Sequence, residues 1–176
     1  GNPVQWCIVS TDQVRHAQQG AADEQAAEAT ATTPKPLTVI VAFKGTDSVL
    51  DILVDVSGVP FYEPEADLRV HSGMYAALHT NKRSTLDCIL GVLEGIPGEH
   101  NRLIITGHSL GGGMALLVAA ELIARGKKCE GQEQGGWMFI SPSVVTFGAP
   151  MVIVPDTAND VWRRLNTSAS LFINTW

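Results

Sequence analysis

The sequence predicts an α/β fold formed by one domain, a sheet flanked by helices. Apolar, β-branched runs alternate along the chain with segments whose apolar residues recur at helical spacing. Two of these runs, residues 37–43 (LTVIVAF) and 102–106 (RLIIT), have the pattern of strands covered on both faces. The chain has 176 residues, of which 45% are hydrophobic, and this is enough apolar material for one substantial core.

The N-terminal part of the chain predicts two strands separated by an insertion. Residues 4–10 (VQWCIVS) predict the first strand and residues 37–43 the second. Between them, residues 16–36 are mostly Ala, Gln, Glu and Thr, with almost no large apolar side chain to offset the entropy of ordering. We therefore expect a disordered or partly helical insertion there. Residues 50–56 (LDILVDV) fit a short helix or a mobile surface segment, and the glycine and prolines of residues 58–68 (GVPFYEPEADL) predict a loop.

Residues 72–96 show apolar residues at helical spacing and predict two consecutive helical segments. Ser84 or Thr85 is placed to cap the second segment at its N-terminus, and Gly95 and Pro97 close it. These elements precede the buried strand at residues 102–106.

The C-terminal part predicts one long helix and two further strands. Residues 110–126 (LGGGMALLVAAELIARG) are apolar on nearly every face, a pattern typical of a buried helix, and Gly126 is expected to end it. Residues 143–150 (SVVTFGAP) and 170–176 (SLFINTW) predict strands. With these elements, the alternation of strands and helices extends along the whole chain.

Composition excludes several classes of function. The net charge of −6 and the sequence pI near 5.2 leave no basic stripe for a nucleic-acid backbone. No apolar run approaches the roughly 18 residues of a transmembrane segment. The three cysteines, Cys7, Cys88 and Cys129, have no metal-site spacing and are odd in number, which argues against a disulfide framework. Ligand clusters and phosphate-binding loops are absent from the sequence, so we expect no metal and no organic cofactor.

The stretch LIITGHSLGGGMALLVAAELIA places one serine between an apolar strand and an apolar helix. Gly107, His108, Ser109, Leu110 and Gly111 form the pattern Gly-x-Ser-x-Gly. A serine on a sharp strand-to-helix turn has a strained backbone, and glycines two positions before and after it remove side chains that would collide across the turn. This nucleophile elbow presents a serine hydroxyl at the carboxyl edge of the sheet, beside a helix N-terminus that favours developing negative charge. The pattern therefore predicts Ser109 as a catalytic nucleophile.

Four blocks in order resemble the class 3 lipase family, the fungal-type lipases and their plant, algal and diacylglycerol lipase relatives. The blocks are VAFKGTDS, VHSGMYAAL, GHSLGGGMA and VVTFGAP, and the resemblance spans residues 37–176. It implies an α/β-hydrolase fold and an acyl ester of a lipid as substrate. It also implies an oxyanion hole formed by Thr46 and by the backbone N–H of Leu110. The chain departs from the family at Lys44, where arginine is usual, and near Ile52, where an aromatic residue is common.

By the same resemblance, residues 48–60 occupy the place of a lipase lid. Their apolar sequence suits a segment that covers an apolar cleft or makes transient contact with a lipid surface. A packed helix explains the pattern equally well, and both interpretations stay open at this point.

The sequence contains no histidine after Ser109, although the acid and then the histidine follow the nucleophile in α/β-hydrolases. We interpret His71 as a helix-entry residue and His108 as the elbow neighbour, whose ring points away from the groove that Ser109 faces. The remaining histidines, His16, His79 and His100, come earlier in the chain, and we place His79 and His100 on the solvated surface.

Asp156 and Asp160 are the only aspartates after the serine, and both lie in a loop-like stretch where we expect solvated side chains rather than the triad acid. The final residues LFINTW stop in the middle of a predicted strand. We therefore expect residues 1–176 to be a single, partial lipase-like domain that is incomplete at the C-terminus. Its acid and base are expected beyond Trp176 or have been lost.

Two hypotheses of different classes follow. The first is a serine lipase or esterase, in which Ser109 attacks the acyl carbonyl. The second is a non-catalytic relative that keeps the elbow as architecture and acts as a lipid-binding or interaction module. A peptidase or thioesterase on the same fold agrees less well with the KGT block. Residues 1–176 alone are expected to show negligible turnover, because a missing triad member removes about three orders of magnitude or more of the rate.

Overall fold

The computed structural model describes residues 4–10, 37–45, 59–79, 84–93, 102–128, 142–168 and 171–173. The predicted insertion at 16–36 and residues 48–58 of the predicted lid lie outside these ranges. The elements in chain order are β1 (Trp6–Ser10), β2 (Thr38–Phe43), β3 (Pro60–Glu63), β4 (Leu68–His71), α1 (Ser72–His79), α2 (Thr85–Leu93), β5 (Arg102–His108), α3 (Leu110–Lys128), β6 (Ser143–Phe147), α4 (Asp160–Ser168) and β7 (Leu171–Ile173).

Within the described ranges, five strands form the main sheet in the order β1-β2-β5-β6-β7. Strand β1 pairs antiparallel with β2, and the other neighbouring pairs are parallel. The carboxyl ends of β2, β5, β6 and β7 therefore meet at one edge, which is where open α/β sheets bind ligands. Strand β5 lies at the centre, so the residue that follows it emerges in the middle of that edge. The predicted α/β class is confirmed.

Helix α3 lies at the centre of the core. Every residue from 111 to 124 is buried, because α3 packs on β2, β5 and β6 and is also in contact with α1 and α4. The helix extends to Lys128, two residues past the predicted end at Gly126. None of the helices in the described ranges is both long enough and apolar enough to cross a membrane.

Helices α1 and α2 confirm the prediction of two helical segments. Ser84 caps α2, since its Oγ accepts the backbone N–H of Asp87 at 3.0 Å. The apolar faces of both helices belong to the same core as α3, with Met74 and Leu78 buried in α1 and Leu86 and Ile89 buried in α2. Helix α1 is in contact with both α2 and α3, and so links α2 to the helix that follows β5.

The loop prediction for residues 58–68 is wrong, because β3 and β4 form an antiparallel hairpin there. Pro60 is tolerated as the first residue of β3, where a ladder N–H is not needed. The buried carboxylate of Glu63 accepts the N–H of Glu65 at 2.8 Å and the N–H of Ala66, which stabilises the turn between the strands. Asp67 completes the turn in the left-handed region with φ 55°.

The loop prediction around Asp160 is also wrong, because Asp160 is the first residue of α4. The buried residue before it, Asn159, caps the helix by accepting the N–H of Trp162 at 2.9 Å. The same side chain donates from Nδ2 to the carbonyl oxygens of Ala66 at 3.0 Å and Asp67 at 2.8 Å. Asn159 therefore fastens the start of α4 to the turn of the β3–β4 hairpin.

The turn from β5 into α3 takes place at one residue, Ser109, which has φ 53°. A side chain at Gly107 would place a Cβ 2.3 Å from the carbonyl carbon and oxygen of Gly111, so the turn leaves no room for one. A Cβ at Gly111 would meet the carbonyl oxygen of Phe43 at 2.4 Å, at the end of β2. The predicted collision across the turn is therefore confirmed at Gly107, whereas Gly111 is required by the neighbouring strand.

The substitution Asn159→Ala is expected to lower the free energy of unfolding by about 2–3 kcal/mol, since it removes a helix cap and two hydrogen bonds to backbone carbonyls. Urea unfolding of the intact protein measures this. Asn159→Asp keeps the capping oxygen but places an acceptor against the two backbone carbonyl oxygens in place of the Nδ2 donor, so it should also destabilise the protein. The exposed Asn166 of the same helix supplies the control, Asn166→Ala. Equal losses for Asn159→Ala and Asn166→Ala would contradict the assignment.

The turn predicts opposite outcomes for two glycine-to-alanine substitutions. Gly107→Ala should destabilise the protein by about 3 kcal/mol or more, because the new Cβ meets backbone that cannot move aside cheaply. Gly91→Ala should stabilise it by about 0.5–1 kcal/mol, because that glycine lies in α2 with open space around it. The denaturant midpoints of the two variants measure these changes in stability. A tolerated Gly107→Ala would show that the turn is looser than described.

Candidate active site

Ser109 lies at the centre of the carboxyl edge of the sheet, between β5 and α3. Its backbone N–H donates to the carbonyl oxygen of Phe147, the last residue of β6, at 2.8 Å. Its carbonyl oxygen accepts the N–H groups of Gly112 at 2.9 Å and Gly113 at 3.2 Å, in the first turn of α3. The residue is only partly buried. The backbone of Ser109 is therefore fixed on both sides while its side chain keeps access to solvent.

Leu110 is the first residue of α3, a helix of 19 residues. The first N–H groups of a helix have no acceptor within the helix, and its aligned peptide dipoles place partial positive charge at this end. An anion formed beside Ser109 would therefore meet a favourable electrostatic field. This is the environment that an oxyanion requires.

The chain leaving β2 passes close to Ser109. A Cβ at Gly45 would lie 2.6 Å from the carbonyl oxygen of His108 and 3.7 Å from the Cβ of Ser109. Thr46, the next residue and the predicted oxyanion donor, lies outside the described residues. The glycine of KGT was the available sequence signal for this close approach, and sequence reasoning assigned no role to Gly45.

His71 occupies the helix-entry position that its sequence suggests. It is the last residue of β4, and its Nδ1 accepts the N–H of Met74, which caps α1. The ring is buried, and its Nε2 has no hydrogen-bond partner among the residues that the structure describes. Its backbone N–H donates to the carbonyl oxygen of Val152 at 2.8 Å. These contacts assign His71 to the junction of β4, α1 and the segment after β6.

The surface placement of His79 is wrong. Its Nε2 lies 2.8 Å from Oε1 of Glu121, a buried residue of α3, because the end of α1 packs directly against that helix. His108 is exposed and lies at the end of β5. His16 and His100 fall outside the described ranges. Because Glu121 lies more than three helical turns from Ser109, His79 is remote from Ser109.

Asp156 and Asp160 make local surface contacts. Oδ1 of Asp156 accepts the N–H of Ala158 at 2.9 Å in an exposed loop. The carboxylate of Asp160 pairs with Arg163 at 2.8 Å and Arg164 at 3.2 Å along α4. Exposed pairs of this kind contribute little to stability. Their contacts agree with the sequence-based view of two solvated side chains.

No group of three or more histidine, cysteine or acidic side chains that could hold a metal ion occurs within the described segments. Cys7 is exposed and Cys88 is partly buried, and both are free thiols. Cys129 lies outside those segments. The hydrogen bonds described for Ser109 are those of its backbone.

A family model described as Lipase (class 3) matches residues 40–172 of this chain. The lipase of Rhizomucor miehei is 29% identical over 125 residues, which cover 70% of this chain and 32% of that protein. The chloroplastic phospholipase A1 PLIP1 of Arabidopsis thaliana is 31% identical over 119 residues, which cover 68% of this chain and 17% of that protein. The chain thus spans a third or less of the length of these curated relatives.

Solved structures of lipases are also similar to this chain. The native Rhizomucor miehei lipase propeptide complex superimposes with a TM-score of 0.52 and 27% identity, covering 74% of this chain and 38% of that chain. The lipase from Rhizopus microsporus var. chinensis, at 24% identity and a TM-score of 0.52, covers 74% of this chain and 41% of its own and supports the fold alone. These neighbours are α/β-hydrolases, which confirms the expected fold. Because the family model matches most of its length, this chain belongs to the class 3 lipase family.

Proposed function

We propose that the protein hydrolyses acyl esters of lipids with Ser109 as the nucleophile. The observation that carries this proposal is the left-handed backbone of Ser109 on a one-residue turn between a central parallel strand and a buried helix. Such a conformation costs free energy in a non-glycine residue and is concentrated at functional sites. A strained serine at the carboxyl edge of an α/β sheet is the arrangement that an exposed nucleophile requires.

The substrate class is proposed from the relatives. Three of the curated relatives are named lipases and one is named a phospholipase A1. The bond that these names share is a carboxylic ester of a lipid. We extend this coarser class to the present chain and leave the acyl length and head group unassigned.

In the proposed reaction, a base removes the proton of the Ser109 hydroxyl as its oxygen attacks the acyl carbonyl carbon. The carbonyl oxygen becomes an oxyanion, which accepts hydrogen bonds from the N–H of Leu110 and from Thr46. Collapse of the tetrahedral intermediate expels the alcohol, which takes the proton from the base, and leaves an acyl-serine. The base then removes a proton from water, whose oxygen attacks the acyl carbon; the bond to Ser109 breaks, the fatty acid leaves, and the proton returns to the serine oxygen.

We assign none of the described histidines as the base. His71 caps α1 and His79 pairs with Glu121, while His108 is exposed and adjacent in sequence to the nucleophile. The proposal therefore includes a histidine and an acid that the described residues do not supply. A non-catalytic lipid-binding relative is the alternative, and labelling with a covalent probe distinguishes it from an enzyme.

Labelling with a serine-directed phosphonate tests the nucleophile directly. The intact, folded protein should be labelled at Ser109, and Ser109→Ala should lose the label while keeping its melting temperature within a few degrees. Ser143→Ala changes an exposed serine of β6 and serves as the control that retains labelling. Folded protein that binds lipid vesicles but takes up no label at Ser109 would favour the non-catalytic alternative.

The oxyanion assignment predicts different results for two substitutions of Thr46. Thr46→Val removes the hydroxyl at nearly constant volume and should lower kcat by about 10²–10³-fold with little change in KM, since the donor acts on the transition state. Thr46→Ser keeps the hydroxyl and should retain most of the activity. Steady-state kinetics on a soluble short-chain ester measures both. A threonine-to-valine variant with unchanged kcat would remove Thr46 from the mechanism.

A further inference from the structure

Two buried side chains from different parts of the fold pack against the first turn of the helix that follows Ser109. A Cβ at Gly113 would overlap with Cε of Met74, from α1, and would lie 2.8 Å from Cγ1 of Val152, from the segment after β6. The N–H of Gly113 donates to the carbonyl oxygen of Ser109 at 3.2 Å. Met74 and Val152 therefore support the residue that holds this carbonyl group.

His71 is hydrogen-bonded to both of these supports. Its Nδ1 accepts the backbone N–H of Met74 at 3.2 Å, because α1 begins directly after it. Its own backbone N–H donates to the carbonyl oxygen of Val152 at 2.8 Å. One residue at the end of β4 therefore sets the position of the two side chains that pack on Gly113.

The segment after β6 connects the turn at Ser109 to the hairpin. It begins at Phe147, whose carbonyl oxygen accepts the N–H of Ser109 at 2.8 Å. Farther along the segment, Ile153 forms an antiparallel bridge with Val70 of β4. The segment is therefore held at the turn on one side and at β4 on the other, and His71 lies at the end of that strand.

The ring of His71 is an uncommon choice for a helix cap, since Asn, Asp, Ser or Thr usually supplies the acceptor. A ring nitrogen that accepts carries no proton, so the ring proton is on Nε2. This atom is buried and has no partner in the part of the chain that the structure describes. Burying an unpaired donor costs stability. A residue that only capped α1 could do so without this cost.

We propose that His71 is a positioning residue for Ser109. Its Nδ1 fixes the backbone of Met74, and the side chain of Met74 in turn fixes Gly113. The backbone of His71 holds Val152 against the same glycine. The inference rests on the proposed role of Ser109 as the nucleophile. His71 acts on the orientation of the serine through these contacts, and not on the substrate.

The expected effect of losing this acceptor is on the rate of reaction and not on binding. Without Nδ1, the N–H of Met74 loses its partner, and the start of α1 is no longer capped. The side chain of Met74 then holds Gly113 less firmly. Because a displacement of about 1 Å at a reactive group can cost about 10²-fold in rate, a smaller shift at Ser109 should be measurable.

The rate of phosphonate labelling at Ser109 in the intact, folded protein tests the proposal. His71→Phe keeps a ring of similar size and removes the Nδ1 acceptor, so the labelling rate at saturating probe should fall about tenfold. The probe concentration that gives half of the maximal rate should change little. His71→Asn keeps an acceptor near the place of Nδ1 and should recover most of the wild-type rate.

A second helix cap supplies the matched control. Ser84 caps α2 by accepting the N–H of Asp87, so Ser84→Ala removes a cap of the same kind. It should lower the melting temperature by about 2–4 °C. Its labelling rate should stay close to that of the wild type, because the N–H that it leaves uncapped belongs to α2 and not to a residue that packs on Gly113.

A labelling rate for His71→Phe equal to that of the wild type would overturn the positioning role. An equal slowing in Ser84→Ala would also overturn it, since the rate would then follow stability alone. If His71→Phe does not fold, His71→Leu also lacks the acceptor and gives the same comparison. A folded wild type that takes up no label at Ser109 would instead reject the proposed function, and the wild type alone reveals this outcome.

Discussion

The structure depends on one backbone constraint, the reversal of chain direction at residue 109. The strand before it, β5, is hydrogen-bonded between β2 and β6 in the sheet. The helix after it is buried from residue 111 to residue 124. Neither element can shift to relax the turn, because each shift would open the core. The strain of a left-handed serine is therefore held by packing on both sides. This packing leaves no room for a side chain at Gly107 or Gly111. At Gly107 the backbone of the turn would collide with it, and at Gly111 the end of β2 would.

Sequence reasoning succeeded where the signal is local. The β-branched run of β2, the apolar circumference of α3 and the cap at Ser84 each carry their information within a few residues. It failed where a distant partner decides the structure. The prolines of residues 58–68 indicated a loop, but the Glu63 carboxylate and the backbone contacts of Asn159 stabilise a hairpin there. No local pattern shows that Asn159 bonds a turn more than ninety residues earlier.

In the candidate site, too, residues set by a local pattern were predicted and residues set by distant partners were missed. The serine and its flanking glycines were predictable, because the Gly-x-Ser-x-Gly spacing expresses a steric need of the turn itself. Gly45 was given no role, although its glycine was visible in KGT, because its requirement comes from the carbonyl of His108 on a neighbouring strand. His79 was placed on the surface because it ends a short helix, and its partner Glu121 becomes visible only when α1 packs on α3. Long-range packing therefore accounts for both Gly45 and His79, which sequence reasoning missed.

The parallel pairing of β5 has a consequence for the order of folding. Its neighbours are β2, which precedes it by some sixty residues, and β6, which follows α3. Before these two ladders can form, long loops must close, and closing them costs conformational entropy. The contacts that offset this cost form only afterwards, so such topologies fold slowly. Ser109 acquires its backbone geometry only when both ladders exist. A nascent chain therefore completes the turn at Ser109 late, only after both parallel ladders of β5 have formed.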